Sequence, residues 1–175
     1  MVIRPANLEA LLAHLTNGTS APDFSLPALD GKTDSLSSLL RRGPVVLAFF
    51  KISCPVCQYT LPFLQRIADR FAGKGVSVIG VSQDDLRDTK EFHEEYGVKF
   101  PTLIDQDGYP VSNAYGLTNV PTIFLVSPEG KINVECMGFD KAALEKIVAE
   151  LSQHEKVLAA PLFRGDEDVP AYKPG

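Results

Sequence analysis

Two of the chain's three cysteines, Cys54 and Cys57, are separated only by Pro55 and Val56. A pair at this spacing, in a chain otherwise poor in cysteine, points to redox or metal chemistry rather than to a structural staple. The residues before it, Val45 to Phe50, are apolar at every position, which suits a strand covered on both faces. The residues after it have helical spacing at Leu61, Leu64, Ile67, Ala68 and Phe71. Cys54 therefore falls at or next to a helix N-cap, Pro55 in the first turn and Cys57 one turn in. Unpaired backbone N–H groups and the helix dipole favour a negative sulfur at that end. A thiol so placed gives up its proton more easily than a free cysteine, whose pKa is about 8.5; such sites fall at roughly 3.5–7.5. One helical turn brings the two sulfurs within disulfide reach. On this reading Cys54 is the exposed nucleophile, and Cys57, nearer the core, resolves the mixed disulfide. The other reading of such a pair is half of a zinc site, which needs a second pair of ligands. Cys136, His14, His93 and His154 are each isolated in the sequence, and a metal-binding or metallochaperone module stays as the reading from another class.

The elements that must position the pair follow from the same patterning. Leu8 to Leu15 is a helix, within an N-terminal helical segment over 7–16, and Asn17–Pro22 breaks it. Phe24, Leu26 and Ala28 alternate ahead of an Asp30-Gly31 turn, predicting a β-hairpin. Leu36–Leu40 is one helical turn. Val76–Val81 is a second buried strand, and Asp84 or Asp85 caps a helix that runs to about Tyr96 and stops at Gly97. Thr102–Ile104 is a short strand, and Pro110–Tyr115 a short helix. Thr122–Val126 and Ile132–Met137 form a hairpin around Ser127–Gly130, and Asp140 caps a last helix to about His154. The order βαβα, then a hairpin, then a helix predicts an α/β fold with a central mixed sheet flanked by helices. The expected organisation is a single domain over 1–175 with a core at about 20–155. The prolines and acidic patch of the tail, 160–175, predict no regular structure.

Composition excludes several functions. The chain has 175 residues, 45% of them hydrophobic and 22% charged, which are globular values. A net charge of -5 without a lysine and arginine cluster argues against nucleic acid as a partner. The apolar run Val45–Phe50 has six residues, whereas a membrane-spanning helix needs about 20. Asn7, Glu9 and His14 interrupt any signal-peptide core in residues 1–20, so a cytoplasmic location is expected, with a periplasmic one as the alternative if an export signal has been removed.

The stretch FFKISCPVCQYTLPFL resembles the active-site strand and helix of thioredoxin-fold proteins, with Pro62 at the place of their helix-kinking proline. Val120-Pro121-Thr122, about 65 residues downstream, resembles the cis-proline motif of that fold. The opening APDFSLPALDGKTDSLSSL and the inserted helix after GVSQDD resemble the redoxin branch, which includes TlpA/ResA-like thiol–disulfide oxidoreductases and the AhpC/TSA group. The resemblance covers about residues 20–155. It implies a thioredoxin-like fold with an N-terminal β-hairpin extension, Cys54 as nucleophile, Cys57 as resolving cysteine and Pro121 as the cis-proline. It also implies that Val120 offers backbone groups to a substrate and that Pro55 lies at the substrate surface. The sequence departs from the thioredoxins proper at Ser53, where they carry tryptophan, and at Ala48, where they carry a buried carboxylate. The threonine three residues before a peroxidatic cysteine is replaced by Lys51 for Cys54 and by Cys54 for Cys57, which disfavours one-step peroxidase chemistry. Lys51, if its ammonium reaches the pair, would hold the Cys54 thiolate.

The remaining chemistry-bearing residues read as structural. Cys136 behaves as a small buried hydrophobe. Asp105-Gln106-Asp107-Gly108 begins like a calcium loop, but Tyr109 and Gly116 stand where further ligands belong, so it is a turn and cap. His93 reads as a surface histidine, while Tyr109 and Phe139 either line the groove or fill the core. The expected function is thiol–disulfide exchange, in the direction of reduction, with no cofactor and no metal. The partners are a protein or small-molecule disulfide or thiol and a recycling reductant. A dithiol-dependent peroxidase is the alternative enzyme.

Overall fold

The computed structural model describes residues 15–175. The helix expected at Leu8–Leu15 lies almost wholly outside them. Strand β1 (Ser25–Pro27) pairs with β2 (Thr33–Ser35) in an antiparallel hairpin that runs into the short helix α1 (Leu36–Leu40). Then follow β3 (Val45–Phe50), α2 (Pro55–Arg70), β4 (Ser77–Ser82), α3 (Leu86–Tyr96), β5 (Thr102–Ile104) and α4 (Pro110–Ala114). The chain continues through β6 (Thr122–Val126), β7 (Ile132–Met137), β8 (Phe139–Asp140), α5 (Lys141–His154) and β9 (Tyr172–Lys173).

The main sheet has the order β5-β4-β3-β6-β7. Strand β3 pairs in parallel with β4 and antiparallel with β6, so the sheet is mixed as expected. Every residue of β3 is buried, and its side chains alternate between two cores. Val46, Ala48 and Phe50 face the core under α2, α3 and α5; Val45, Leu47 and Phe49 face the core under the hairpin, α1 and α4. Helix α2 buries Cys57, Thr60, Leu61, Leu64 and Ile67, one stripe of a 3.6-residue period. That stripe seats the helix across the sheet and fixes its N-terminus above the end of β3.

Residues 160–171 form neither helix nor strand, and only Tyr172–Lys173 form β9, yet the tail is docked on the fold. Leu162 and Phe163 are buried, and Phe163 packs on Phe63 of α2 and on Phe139. Their N–H groups donate to the Glu145 carboxylate of α5 at 2.9–3.3 Å. Arg70 donates to the carbonyls of Ala160 and Pro161, and Arg66 makes a two-pronged pair with Glu167. Beyond these ties, β9 pairs antiparallel with β8. Prolines prevented a helix here without preventing docking, because side-chain carboxylates and guanidinium groups satisfy the irregular backbone.

Candidate active site

Strand β3 ends at Phe50, and residues 51–54 turn the chain into α2. Cys54 is the N-cap, with φ −87° and ψ 115°, and Pro55 occupies the first turn. The Cys57 N–H donates to Cys54 Sγ at 3.2 Å, so the sulfur takes the place of a capping oxygen. The Cys54 thiol donates to the carbonyl of Val120 at 3.4 Å. Cys54 is half-buried, Pro55 exposed and Cys57 fully buried, and both thiols are free. Burial raises the pKa of the Cys57 thiol well above its ordinary range. The adjoining Cys54 thiol and the Asp84 carboxylate add to that rise, and a backbone hydrogen bond with Lys51 opposes it. The two sulfurs thus differ in kind: one reaches solvent at a helix N-terminus, and the other is held protonated behind it.

The Val120–Pro121 peptide is cis, as the resemblance to the thioredoxin fold implies, and Pro121 is buried against the start of β6. This loop forms the wall opposite the helix mouth. Lys51 meets the site through its main chain: its carbonyl accepts from Cys54 N–H at 3.2 Å. Its ammonium has no hydrogen bond or ion pair among the described residues.

Asp84 was missed as a site residue. It follows β4, and its carboxylate accepts from Ile52 N–H at 2.7 Å, pinning the turn that carries Cys54. Asp85, not Asp84, caps α3 by accepting from Asp88 N–H. The one cue in the sequence was two adjacent aspartates where a cap needs one. Gln58 holds the same turn from the other side, donating to the Ile52 carbonyl at 2.8 Å.

Two clefts flank the pair. One, of about 390 Å³, is bounded by Ile52, Ser53 and Gln58, with Asp88, Glu91 and Glu95 across it. The other, of about 300 Å³, is bounded by Val120, Asn119, Gln83, Ser112 and Tyr109. Tyr109 therefore lines a groove, whereas Phe139 is core, packed on Tyr59 and Phe63. A larger hollow of about 910 Å³ opens at the far edge of the sheet, beside the hairpin and the start of β4, and contains none of the cysteines.

Cys136 is buried on β7, and burial pushes its thiol up to about 12. His93 is half-buried rather than a surface residue: its Nε2 lies 3.0 Å from Thr102 Oγ1, and burial lowers its pKa. Asp105 is the cap expected of it, accepting from Val111 N–H and Ser112 N–H at the start of α4. Among the described residues no group of three or more histidine, cysteine or acidic side chains is placed to hold a metal ion. No helix among them is long and apolar enough to cross a membrane.

Paired cysteines at the mouth of the helix after β3, facing the loop before β6 across this sheet order, define a redox protein of the thioredoxin-like fold. The chain belongs to the AhpC/TSA family, whose model matches residues 17–135. It is 33% identical over 122 residues to the thiol-disulfide oxidoreductase ResA of Bacillus anthracis, a match covering 69% of each chain. The thioredoxin domain of a thiol-disulfide oxidoreductase from Bacteroides vulgatus superposes with a TM-score of 0.69 at 28% identity, covering 78% of this chain and 98% of that one. The peroxidoxin BcpB of Mycobacterium tuberculosis superposes with a TM-score of 0.66, also at 28% identity, covering 78% and 98%.

Proposed function

We propose that Cys54 and Cys57 exchange disulfides with a thiol or disulfide partner, in the direction of substrate reduction. The protein is a thiol–disulfide oxidoreductase, like its relatives. The observation that carries the assignment of roles is the contrast between the half-buried Cys54 sulfur at the helix N-terminus and the Cys57 thiol buried behind it.

In the reductive direction the Cys54 thiolate attacks one sulfur of the substrate disulfide. An S–S bond forms between protein and substrate, and the other substrate sulfur leaves as a thiolate that takes up a proton. Loss of the Cys54 proton removes the donor to the Val120 carbonyl and leaves the Cys57 N–H directed at the anion. Cys57 then loses its proton and attacks Cys54 Sγ, and the second substrate sulfur departs. Two electrons have moved to the substrate, and the protein holds a Cys54–Cys57 disulfide that a separate dithiol reductant must reopen. Burial keeps Cys57 a thiol until the mixed disulfide forms, which limits its reaction with solvent oxidants. Asp84 acts by positioning: it fixes the Ile52 turn and places negative charge near Cys57.

A second reading, peroxide reduction, is favoured by the likeness to BcpB. There Cys54 would attack a peroxide oxygen to give a sulfenic acid and an alcohol or water, and Cys57 would close the disulfide with loss of water. The test is reduction of insulin disulfides with dithiothreitol as electron source, run beside hydroperoxide consumption. Activity on the disulfide, abolished in Cys54→Ser, is expected. Turnover of hydroperoxide alone would give the second reading.

A further inference from the structure

The end of the described chain lies on the site. Lys141 N–H donates to the Ala171 carbonyl at 3.0 Å, and from there Tyr172 and Lys173 run antiparallel along Asp140 and Phe139. The Lys173 ammonium sits 4.9 Å from the centre of the Tyr59 ring, on the helix that carries both cysteines. Gly138 is bare where this segment passes. A Cβ there would collide with the Lys173 carbonyl oxygen and lie 2.9 Å from Gly175 N, and its φ is +69°. Gly138 N–H also donates to the Pro121 carbonyl at 2.8 Å, tying β8 to the loop facing Cys54. Gly175 ends against that loop: a Cβ on it would collide with the Val120 carbonyl oxygen and come within 2.8 Å of Asn119 Nδ2. That carbonyl is the acceptor of the Cys54 thiol.

An extended chain advances about 3.3 Å per residue. A polypeptide whose sulfur meets Cys54 must place its next one or two residues beside Val120, where Gly175 lies. A small disulfide has no such flanking residues. Resting on the thiol-exchange function above, we propose that Tyr172–Gly175 is a specificity-determining strap. It occupies the strip beside Val120 that an extended polypeptide disulfide needs and leaves the Cys54 sulfur open to small disulfides. Polypeptide substrates must displace it; small ones need not.

The arithmetic is that of a partly populated competent state: if the strap is docked in about nine molecules of ten, freeing it raises kcat/KM for a polypeptide by about tenfold. The experiment compares insulin with bis(2-hydroxyethyl) disulfide as substrates for the full chain and for Lys173→Pro and Gly175→Ala, the second placing a methyl group where the Val120 carbonyl leaves no room. Alternation from the Lys141–Ala171 bond places the Lys173 N–H opposite the Phe139 carbonyl, so proline removes that rung. The expected result is a several-fold rise with insulin in both variants and a change of less than about twofold with the small disulfide. Equal changes with both substrates, or none, would overturn the strap. Failure of the parent chain to reduce even the small disulfide would overturn the thiol-exchange reading itself, and the strap with it. A second measurement serves if either variant fails to fold. In Cys57→Ser carrying a trapped peptide on Cys54, the amides of Lys173 and Phe139, which face each other's carbonyls across β8 and β9, should lose hydrogen-exchange protection relative to the peptide-free protein. Protection kept with the peptide in place refutes the displacement.

Discussion

Replacing Asp105 with alanine should remove the cap of α4 and with it one side of the cleft beside Val120. The carboxylate is 1% exposed and accepts three hydrogen bonds: from Val111 N–H at 3.0 Å, Ser112 N–H at 2.7 Å and Ser112 Oγ–H at 2.8 Å. The N-cap residue itself, Tyr109, has φ +53° and supplies no side-chain bond. Losing a cap costs about 1 kcal/mol, and each buried donor left without a partner roughly 1–3 kcal/mol. Removing a buried charge returns part of this, so alanine should destabilise by about 2–4 kcal/mol. Asparagine keeps one acceptor oxygen and should cost about half as much. Urea unfolding at pH 7 gives both numbers from the midpoint, provided the slope m is unchanged. Added calcium should leave the parent midpoint where it is, because the carboxylate oxygens are committed to amides and a hydroxyl. A loss under about 0.5 kcal/mol for alanine, or a midpoint that climbs with calcium, would refute the assignment of Asp105 as a cap.

Three further outcomes follow from named contacts. With its thiol at about 12, Cys136 is about one part in 10⁴ thiolate at pH 8, so iodoacetamide should label it far more slowly than Cys54; comparable labelling in a peptide map would show that β7 opens. Glu167 is held at about 2, first by the Arg66 hydrogen bonds and then by the Arg164 N–H, against an ordinary value near 4.5. Its contribution to tail docking is therefore complete above about pH 4.5 and lost as pH falls through 2, so tail amide protection should decline over that window and the decline should flatten in Glu167→Gln. Gly80→Ala would drive a methyl group into Thr102 Oγ1 and against the Phe50 ring at 3.1 Å, and should lower stability by about 1–3 kcal/mol on thermal unfolding; a gain in melting temperature would contradict the close β4–β5 packing.

How much of this was legible depends on how local each cue is. The cysteine pair could be placed because an unbroken apolar run and a 3.6-residue stripe meet at Cys54, and both periods are read within about ten residues. The helix stops and caps at Gly97 and Asp140 were legible for the same reason. Asp84 was not, because its partner Ile52 lies 32 residues away and the bond exists only once β3 and β4 are neighbours. His93 was read as exposed because its helix is largely charged, yet the ring turns toward Thr102 on the adjacent strand. The docking of the tail was hidden for a different reason. Two paired residues, Tyr172 and Lys173, carry no periodicity, and Leu162-Phe163 is too short to signal burial without the surface it covers. Tyr109 and Phe139 were undecided because one aromatic residue in a loop carries no direction. The fold placed Phe139 inward beside Tyr59 and left Tyr109 at the groove.

The division of labour between the sulfurs is tested most directly by trapping. Cys57→Ser and Cys54→Ser are each mixed with a peptide disulfide, and the adduct is located by intact mass and peptide mapping. Cys57→Ser should accumulate one peptide per chain, bonded to Cys54, and Cys54→Ser should accumulate none. An adduct on Cys57 or Cys136, or no adduct in Cys57→Ser while the parent chain turns over the same peptide, would contradict the assignment of Cys54 as the attacking sulfur.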